Sequence, residues 1–218
     1  MKGGYPMPRV SAHYLQERRE EIIAACARLY ETMSFKDITI KEIGKATSFT
    51  RTSIYNYFRT KEEIFLALMQ REYEAWTADL NALADSTPSL TRDGLAQAMA
   101  RSLEKRKRLL KLLSMNHFDM EENSRYENLT AFKFAYGNSI KAVDRCLITF
   151  CPEMTEAERS EFLYAFFPFL FGIYPYVVVT DEQRRAMEEG QVGFREHTVY
   201  DITYHCLRKL LGSDGAGE

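Results

Sequence analysis

Glycine-rich phosphate loops, nucleophile elbows, His-Glu-x-x-His pairs and clustered acid–base pairs are all missing from this 218-residue chain. Each of those arrangements is how a protein gathers a phosphate, a nucleophile or a metal at one point, so their absence argues against an enzyme. Histidine is scarce, and His13, His117, His197 and His205 lie far apart. His117 with Asp119, and His205 beside Cys206, come nearest to a metal pattern, but neither has a third ligand at helical spacing. No cofactor or metal is expected. Four cysteines, Cys26, Cys146, Cys151 and Cys206, form no paired framework. That usage fits a reducing cytoplasm, with cysteine serving as a small hydrophobe. Cys146 and Cys151 are close enough in sequence to pair under oxidation, but Pro152 ends the helix between them. Lys2 is followed by no apolar run, so no signal peptide is expected. Alternating strand patterns and internal repeats are also lacking.

Long uncharged runs are few. The longest, FLYAFFPFLFGIYPYVVVT at residues 162–180, has nineteen positions without a charge and approaches the length of a membrane span. Pro168, Gly172 and Pro175 interrupt it, aromatics fill its middle, and no one-sided basic excess flanks it. It reads as a buried or subunit-interface helix, and no membrane partner is expected.

Net charge is also small, at −2, but it is unevenly spread. Residues 1–61 hold eleven Lys and Arg against six Asp and Glu, and residues 62–218 hold eighteen against twenty-five. A basic module on an acidic body suits a polyanion partner at one end only.

What is present is helical period. Ile22, Ile23, Cys26, Leu29, Tyr30 and Met33 recur at three and four, which predicts one helix with a single buried stripe. Thr39 with Glu42, Thr60 with Glu63 and Thr155 with Glu158 have the spacing of capping boxes, in which each side chain satisfies the other's free backbone N–H. The resulting expectation is an all-α chain of about nine or ten helices. These include one over Thr91–Met115, a loop at residues 116–124, long helices over Arg125–Phe150 and Thr155–Val178, and a last helix over Glu196–Leu211. The basic run KRKRLLK at residues 105–111 reads as a solvated face, with Leu103, Leu109, Leu110, Leu112 and Leu113 on the buried side.

The chemistry is concentrated in TIKEIGKATSFTRTSIYNYFRTKEEIF, residues 39–65. Ile40, Ile43, Ala46, Ile54 and Phe58 keep an inward spacing, Thr47 and Ser48 make a turn, and Thr50 caps a short helix over about residues 50–57. That helix carries Arg51, Thr52, Tyr55, Asn56 and Tyr57. Arg51 can pair with guanine O6 and N7, Thr52 can meet a base edge, and the tyrosine hydroxyls suit phosphates on the groove walls. Lys61 and the helix N-termini at Thr39 and Thr60 favour phosphate as well. The pattern is that of a helix-turn-helix that sets one helix in the major groove of double-stranded DNA.

These residues resemble a known signature. Thr39-Ile40-Lys41-Glu42-Ile43, then Ser53-Ile54-Tyr55-Asn56-Tyr57-Phe58, then Lys61-Glu62-Glu63-Ile64, are similar to the TetR family of bacterial transcriptional regulators. The resemblance covers about residues 22–65. It implies an all-α homodimer with an N-terminal helix-turn-helix domain, residues 1–62, that reads a palindromic operator. The same resemblance implies a C-terminal domain, residues 63–218, for dimerisation and a small effector. By this resemblance Arg51, Thr52, Tyr55 and Asn56 are candidate base contacts, and Thr39, Thr50, Tyr57 and Lys61 candidate phosphate contacts. The chain departs from the family in the turn, where Thr47-Ser48-Phe49 replaces the usual glycine; Ser48 is expected to need a left-handed or otherwise adjusted backbone.

Two further sets follow for the C-terminal domain. Met115, His117, Phe118, Phe132, Tyr136, Phe167 and Tyr174 are large, pliable side chains on helices that usually surround the effector, and they suit a hydrophobic or aromatic molecule. Phe162, Phe166, Phe169, Leu170, Ile173, Tyr204 and Leu207 are expected at the dimer interface. The main expectation is a cytoplasmic repressor released by its effector. The alternative is an architectural or partner-regulated DNA-binding protein on the same fold without a small effector.

Overall fold

The computed structural model describes residues 12–115 and 117–212, and for residues 12 and 117–119 it describes the backbone alone. The described residues form eleven helices and no strand: α1 Ala12–Thr32, α2 Ile40–Lys45, α3 Arg51–Ile54, α4 Lys61–Ser86, α5 Arg92–Glu104, α6 Lys107–Leu113, α7 His117–Glu122, α8 Tyr126–Phe150, α9 Glu156–Val177, α10 Asp181–Glu189 and α11 Val199–Leu211. Two compact units result. One is Met1–Leu68 with Asp119–Asn128, and the other is Met69–Phe118 with Leu129–Glu218. Helix α4 therefore gives its first eight residues to one unit and the remainder to the other.

In the first unit the helical stripes meet as the spacing requires. Ile22, Ile23, Cys26 and Tyr30 of α1, Ile40 and Ile43 of α2, Ile54 and Phe58, and Ile64 and Phe65 of α4 are all buried. Burying side chains of this kind stabilises by about 1.5–3 kcal/mol each. Tyr30 and Phe35 meet the Phe65 ring edge-on, with centroids 5.2 and 4.8 Å away. At the α2–α3 crossing, a methyl group on Gly44 would lie 3.6 Å from the Arg51 nitrogen, so the two helices approach almost to backbone contact.

The expected single helix over Thr91–Met115 is two helices, α5 and α6. The break falls at Arg106, which turns back to donate to Asp79 and to the Ala75 carbonyl at 2.9 and 3.2 Å. Residues 117–122, expected as loop, form α7. These two differences account for eleven helices where nine or ten were expected. The basic run spans this break, and the leucines expected on its buried side, Leu103 of α5 and Leu109, Leu110, Leu112 and Leu113 of α6, are buried. Arg108 donates to Glu72 at 3.0 Å.

In the second unit α11 packs closely on α5, where Tyr204 donates to Asp93 at 2.7 Å. Helix α9 packs on α6 and α11 and runs through Pro168 and Pro175 without ending. Among the described residues no single helix is long and apolar enough to cross a membrane. Cys146 and Cys151 are both buried. Burial pushes the Cys146 thiol up to about 11, which leaves little reactive thiolate.

Candidate nucleic-acid interface

The recognition helix is short and held at both ends. Thr50 caps it, its hydroxyl accepting from the Ser53 N–H at 3.3 Å. The α-helix proper is Arg51–Ile54, and turns carry the chain to Phe58, whose N–H donates to the Ile54 carbonyl at 3.0 Å. Ile54 and Phe58 are fully buried, while Thr50, Arg51, Thr52, Tyr55 and Asn56 are all exposed. One face anchors and the other presents. The Arg51 guanidinium lies 3.4 Å from the Tyr55 hydroxyl and 5.9 Å from its ring centroid, so the two side chains stand together on the open face. Tyr57 is half-buried, its ring 5.8 Å from that of Phe49.

The turn forms without a left-handed residue at position 48, since Gln191 is the one positive-φ non-glycine among the described residues. Side chains hold it instead. The Ser48 N–H donates to Glu21 at 2.8 Å, and Arg18 donates to the Ser48 hydroxyl at 2.9 Å. The Thr47 hydroxyl accepts from the Phe49 N–H at 3.3 Å and donates to the Gly44 carbonyl at 3.1 Å. Phe49 fills the turn beneath the Arg18 guanidinium, 4.8 Å from its ring centroid. Helix α1 thus supplies what glycine's freedom would otherwise provide.

Two of the three capping boxes are half formed. Thr39 caps α2 by accepting from the Glu42 N–H at 3.2 Å, but the Glu42 carboxylate turns to Lys45 at 2.9 Å. The Thr60 hydroxyl accepts from the Glu63 N–H at 3.1 Å, yet the Glu63 carboxylate goes elsewhere. Thr155 and Glu158 form the full box. Thr39 is exposed as expected. Lys61, expected to reach a phosphate, instead donates to the Phe35 carbonyl at 2.9 Å and sits 4.1 Å from the Phe35 ring centroid. Its ammonium ties the first turn of α4 to the loop before α2. The exposed cations with no ion-pair partner among the described residues include Lys36 and Lys41.

Glu63 is the residue that sequence reasoning missed. It is completely buried and accepts from both the side chain and the backbone N–H of Arg125, at 2.7 and 3.0 Å, and from the Arg59 N–H at 2.8 Å. Burial works against its charged form, but the Arg125 guanidinium and the two backbone N–H groups outweigh it and pull the carboxyl down to about 2. Arg125 and Arg19 both donate to the Tyr57 carbonyl, at 3.0 and 3.3 Å, and Arg19 also covers the Phe58 ring at 4.4 Å. The only sequence signal was the Thr60–Glu63 spacing, which pointed to a different partner.

In the second unit the expected pocket residues gather in part. Phe132 and Tyr136 pack on Tyr73, with ring centroids 6.1 and 5.5 Å apart, and Phe167 packs on Tyr136 and on Trp76 at 5.6 and 6.1 Å. Tyr73 was not anticipated. It is fully buried, and burial raises its pKa well above the ordinary phenol value, with Tyr136 adding to the effect. Met115 and Tyr174 are half-buried and make no ring contact with this cluster among the described residues. The side chains of His117 and Phe118 lie outside the described residues.

The interface set needs correcting. Phe162, Phe166, Leu170, Ile173 and Leu207 are 0–3% exposed within their own protomer, so a partner cannot reach them. Phe169 is half-buried, and Tyr204, also half-buried, is engaged with Asp93. Helix α9 is apolar on both sides, and its period does not say which side faces inward. The side left open carries Tyr164, Ala165, Pro168, Phe171, Gly172, Pro175 and Tyr176.

Comparison with known proteins agrees with this architecture. Residues 22–68 match the family model described as bacterial regulatory proteins, tetR family, and residues 70–196 match the model of a tetracyclin repressor-like C-terminal domain. An HTH-type transcriptional repressor of Mycobacterium tuberculosis is 29% identical over 72 residues, 33% of this chain and 38% of that protein. The repressor NemR of Escherichia coli K12 is 29% identical over 84 residues, 38% of this chain and 42% of its own length. The chain therefore matches about two-fifths of the length of these relatives. Among solved structures, the fatty acid degradation regulator FadR from Bacillus halodurans superposes with a TM-score of 0.56 at 14% identity, over 89% of this chain and 95% of that one. PfmR from Thermus thermophilus does so with 0.56 at 12%, over 89% and 98%. With an exposed recognition face on a buried hydrophobic anchor and both family models matched, the chain belongs to the TetR family, whose members are DNA-binding transcriptional regulators rather than enzymes.

Proposed function

We propose that this regulator is a homodimeric repressor that reads a palindromic operator and is released by a small hydrophobic or aromatic effector. The carrying observation is the split of one short helix into a fully buried pair, Ile54 and Phe58, and five exposed polar residues, Thr50, Arg51, Thr52, Tyr55 and Asn56. Arg51, Thr52, Tyr55 and Asn56 face the bases. Thr39 and Thr50 face phosphates, joined by Lys36 and Lys41. Two-fold symmetry puts the half-sites about one helical turn apart, or at a longer spacing in phase with it. Dimerisation uses the open apolar side of α9, from Tyr164 to Tyr176, which is too large an uncharged stripe to leave in water. The effector lies against Phe132, Tyr136 and Phe167, beside the buried Tyr73 ring.

Footprinting of the promoter regions beside the protein's own gene tests the operator. The expected result is a protected palindrome whose protection fades as salt rises; absence of any protected site there counts against the reading. Trp76, the only tryptophan, sits 6.1 Å from Phe167, so its fluorescence reports a ligand entering the cluster.

A further inference from the structure

The hydrophobic core does not fix where the recognition helix begins. Ile43 and Ile54 are fully buried, but none of residues 44–53 between them is. The turn, the Thr50 cap and Arg51 all lie in that stretch. The far end of the helix is different. Ile54 and Phe58 anchor it, and Arg19 of α1 covers the Phe58 ring at 4.4 Å and donates to the Tyr57 carbonyl at 3.3 Å. A four-residue helix gripped at one end pivots unless its other end is held as well.

The groups that hold the near end also come from α1, one turn apart. One Glu21 oxygen accepts from the Ser48 N–H at 2.8 Å, and the other accepts from Arg18 at 3.2 Å. Arg18 in turn donates to the Ser48 hydroxyl and to the Tyr14 hydroxyl, both at 2.9 Å. Its guanidinium lies over two rings, 5.0 Å from the Tyr14 centroid and 4.8 Å from that of Phe49. Spread donors combined with ring stacking suit arginine and not lysine. Both terminal nitrogens of Arg18 are thus committed within the protein. The Ser48 N–H and hydroxyl, with Arg18 adding to them, hold the Glu21 carboxyl below the usual carboxylate range, so it is a charged acceptor at neutral pH. By charge alone Glu21 disfavours a polyanion. Its bond to the turn gives it a local role in a unit that reads DNA.

We propose that Arg18 and Glu21 are positioning residues for DNA recognition: they clamp Ser48 and Phe49, and so set where α3 starts and where Arg51 stands. The role in recognition rests on the DNA-reading face proposed above, but the clamp itself does not require DNA.

Affinities of the full-length protein for two duplexes, an operator selected from a random pool and a scrambled one, test it well below the Tm. Removing a negative charge should by itself tighten binding to both in Glu21→Ala. The clamp predicts the opposite sign on the operator, about tenfold weaker binding, the low end for losing a hydrogen bond to a charged group. Affinity for the scrambled duplex should not fall. Arg18→Lys keeps the charge but not the spread donors, and it too should weaken operator binding. If Arg18 met a phosphate instead, Arg18→Lys would bind as the wild type does, and Arg18→Ala would lose about one from the salt slope. That result overturns its positioning role. Operator and scrambled affinities that fall together would mark a general defect, and unchanged or tighter operator binding in Glu21→Ala would leave charge as its only effect; either overturns the proposal. Should Glu21→Ala not fold, Glu21→Gln, a weaker acceptor, should show a smaller loss of the same sign. Hydrogen exchange without DNA separates the clamp from the reading it rests on. In Glu21→Ala the Ser48 amide should exchange about tenfold faster while α1 and α4 keep their protection. If no duplex binds the wild type, the DNA reading fails and this exchange alone decides the clamp, which unchanged exchange at Ser48 overturns.

Discussion

Arg51 opens α3 and Glu63 lies in the first turn of α4, and they differ in what the chain reveals of them. Arg51 is exposed, beside Tyr55, with a fork that matches the O6 and N7 acceptors of guanine. Replacing it by alanine should cost about 1–3 kcal/mol of operator affinity and relax preference at one base step, measured by titrating a panel of operator variants. Unchanged preference would remove it from the reading set. Glu63 touches no DNA in this account, yet it sets the acid tolerance of the unit. Its carboxyl is held at about 2 when folded, below the ordinary 4.5. A depressed carboxyl stabilises the fold above about pH 4.5, and that stability is lost as the pH falls towards 2. The difference is worth about 3 kcal/mol. Denaturant titration at pH 6 and pH 3 should show about 2 kcal/mol of that loss in the wild type, the rest coming only below pH 3, and Glu63→Gln, already less stable at pH 6, should lose less on acidification. The exposed place of Arg51 was legible because the Thr50 cap and the helix period set it locally. Glu63 was not, because its partner is 62 residues away.

At the scale of elements, the helix-turn-helix was readable because its signals are short-range. The Thr50 cap, the Ile54 and Phe58 anchors and the α2 start all lie within a few residues of what they organise. Thr50→Ala removes the hydroxyl that accepts from the Ser53 N–H, and it should destabilise by about 1 kcal/mol. Because α3 is only four residues long, the loss should appear as weaker operator binding as well as a lower Tm. An unchanged affinity would mean that bound DNA, not the cap, orders this helix. The turn and the α5–α6 break were misread for one reason. Ser48 takes its support from Glu21 and Arg18, and Arg106 is drawn off by Asp79 and the Ala75 carbonyl; both are tertiary bonds without a local signal. Helix α9 shows the complementary limit. Its apolar period was clear, but with both sides apolar the inward face went to Phe162, Phe166, Leu170 and Ile173, and the open one to the side bearing Tyr164 and Tyr176.

For the whole molecule, the proposed dimer rests on the open side of α9. Tyr164→Glu places a charge at an 81% exposed position, harmless to a monomer but buried in the proposed dimer. Sedimentation should give a monomer for this variant and a dimer for the wild type, with operator affinity falling because two half-sites no longer share one particle. A variant that stays dimeric would move the interface elsewhere. The sequence by itself determined the all-α class, the place of the recognition helix and the residues that face outward from it, because helix period, caps and exposed polar chemistry act over three or four residues. Only the tertiary structure decided how the turn forms without glycine, which side of α9 is buried, that Tyr73 joins the aromatic cluster, and that Arg125 reaches Glu63. Those outcomes depend on which distant surfaces meet, and burial then makes the pairing all or none.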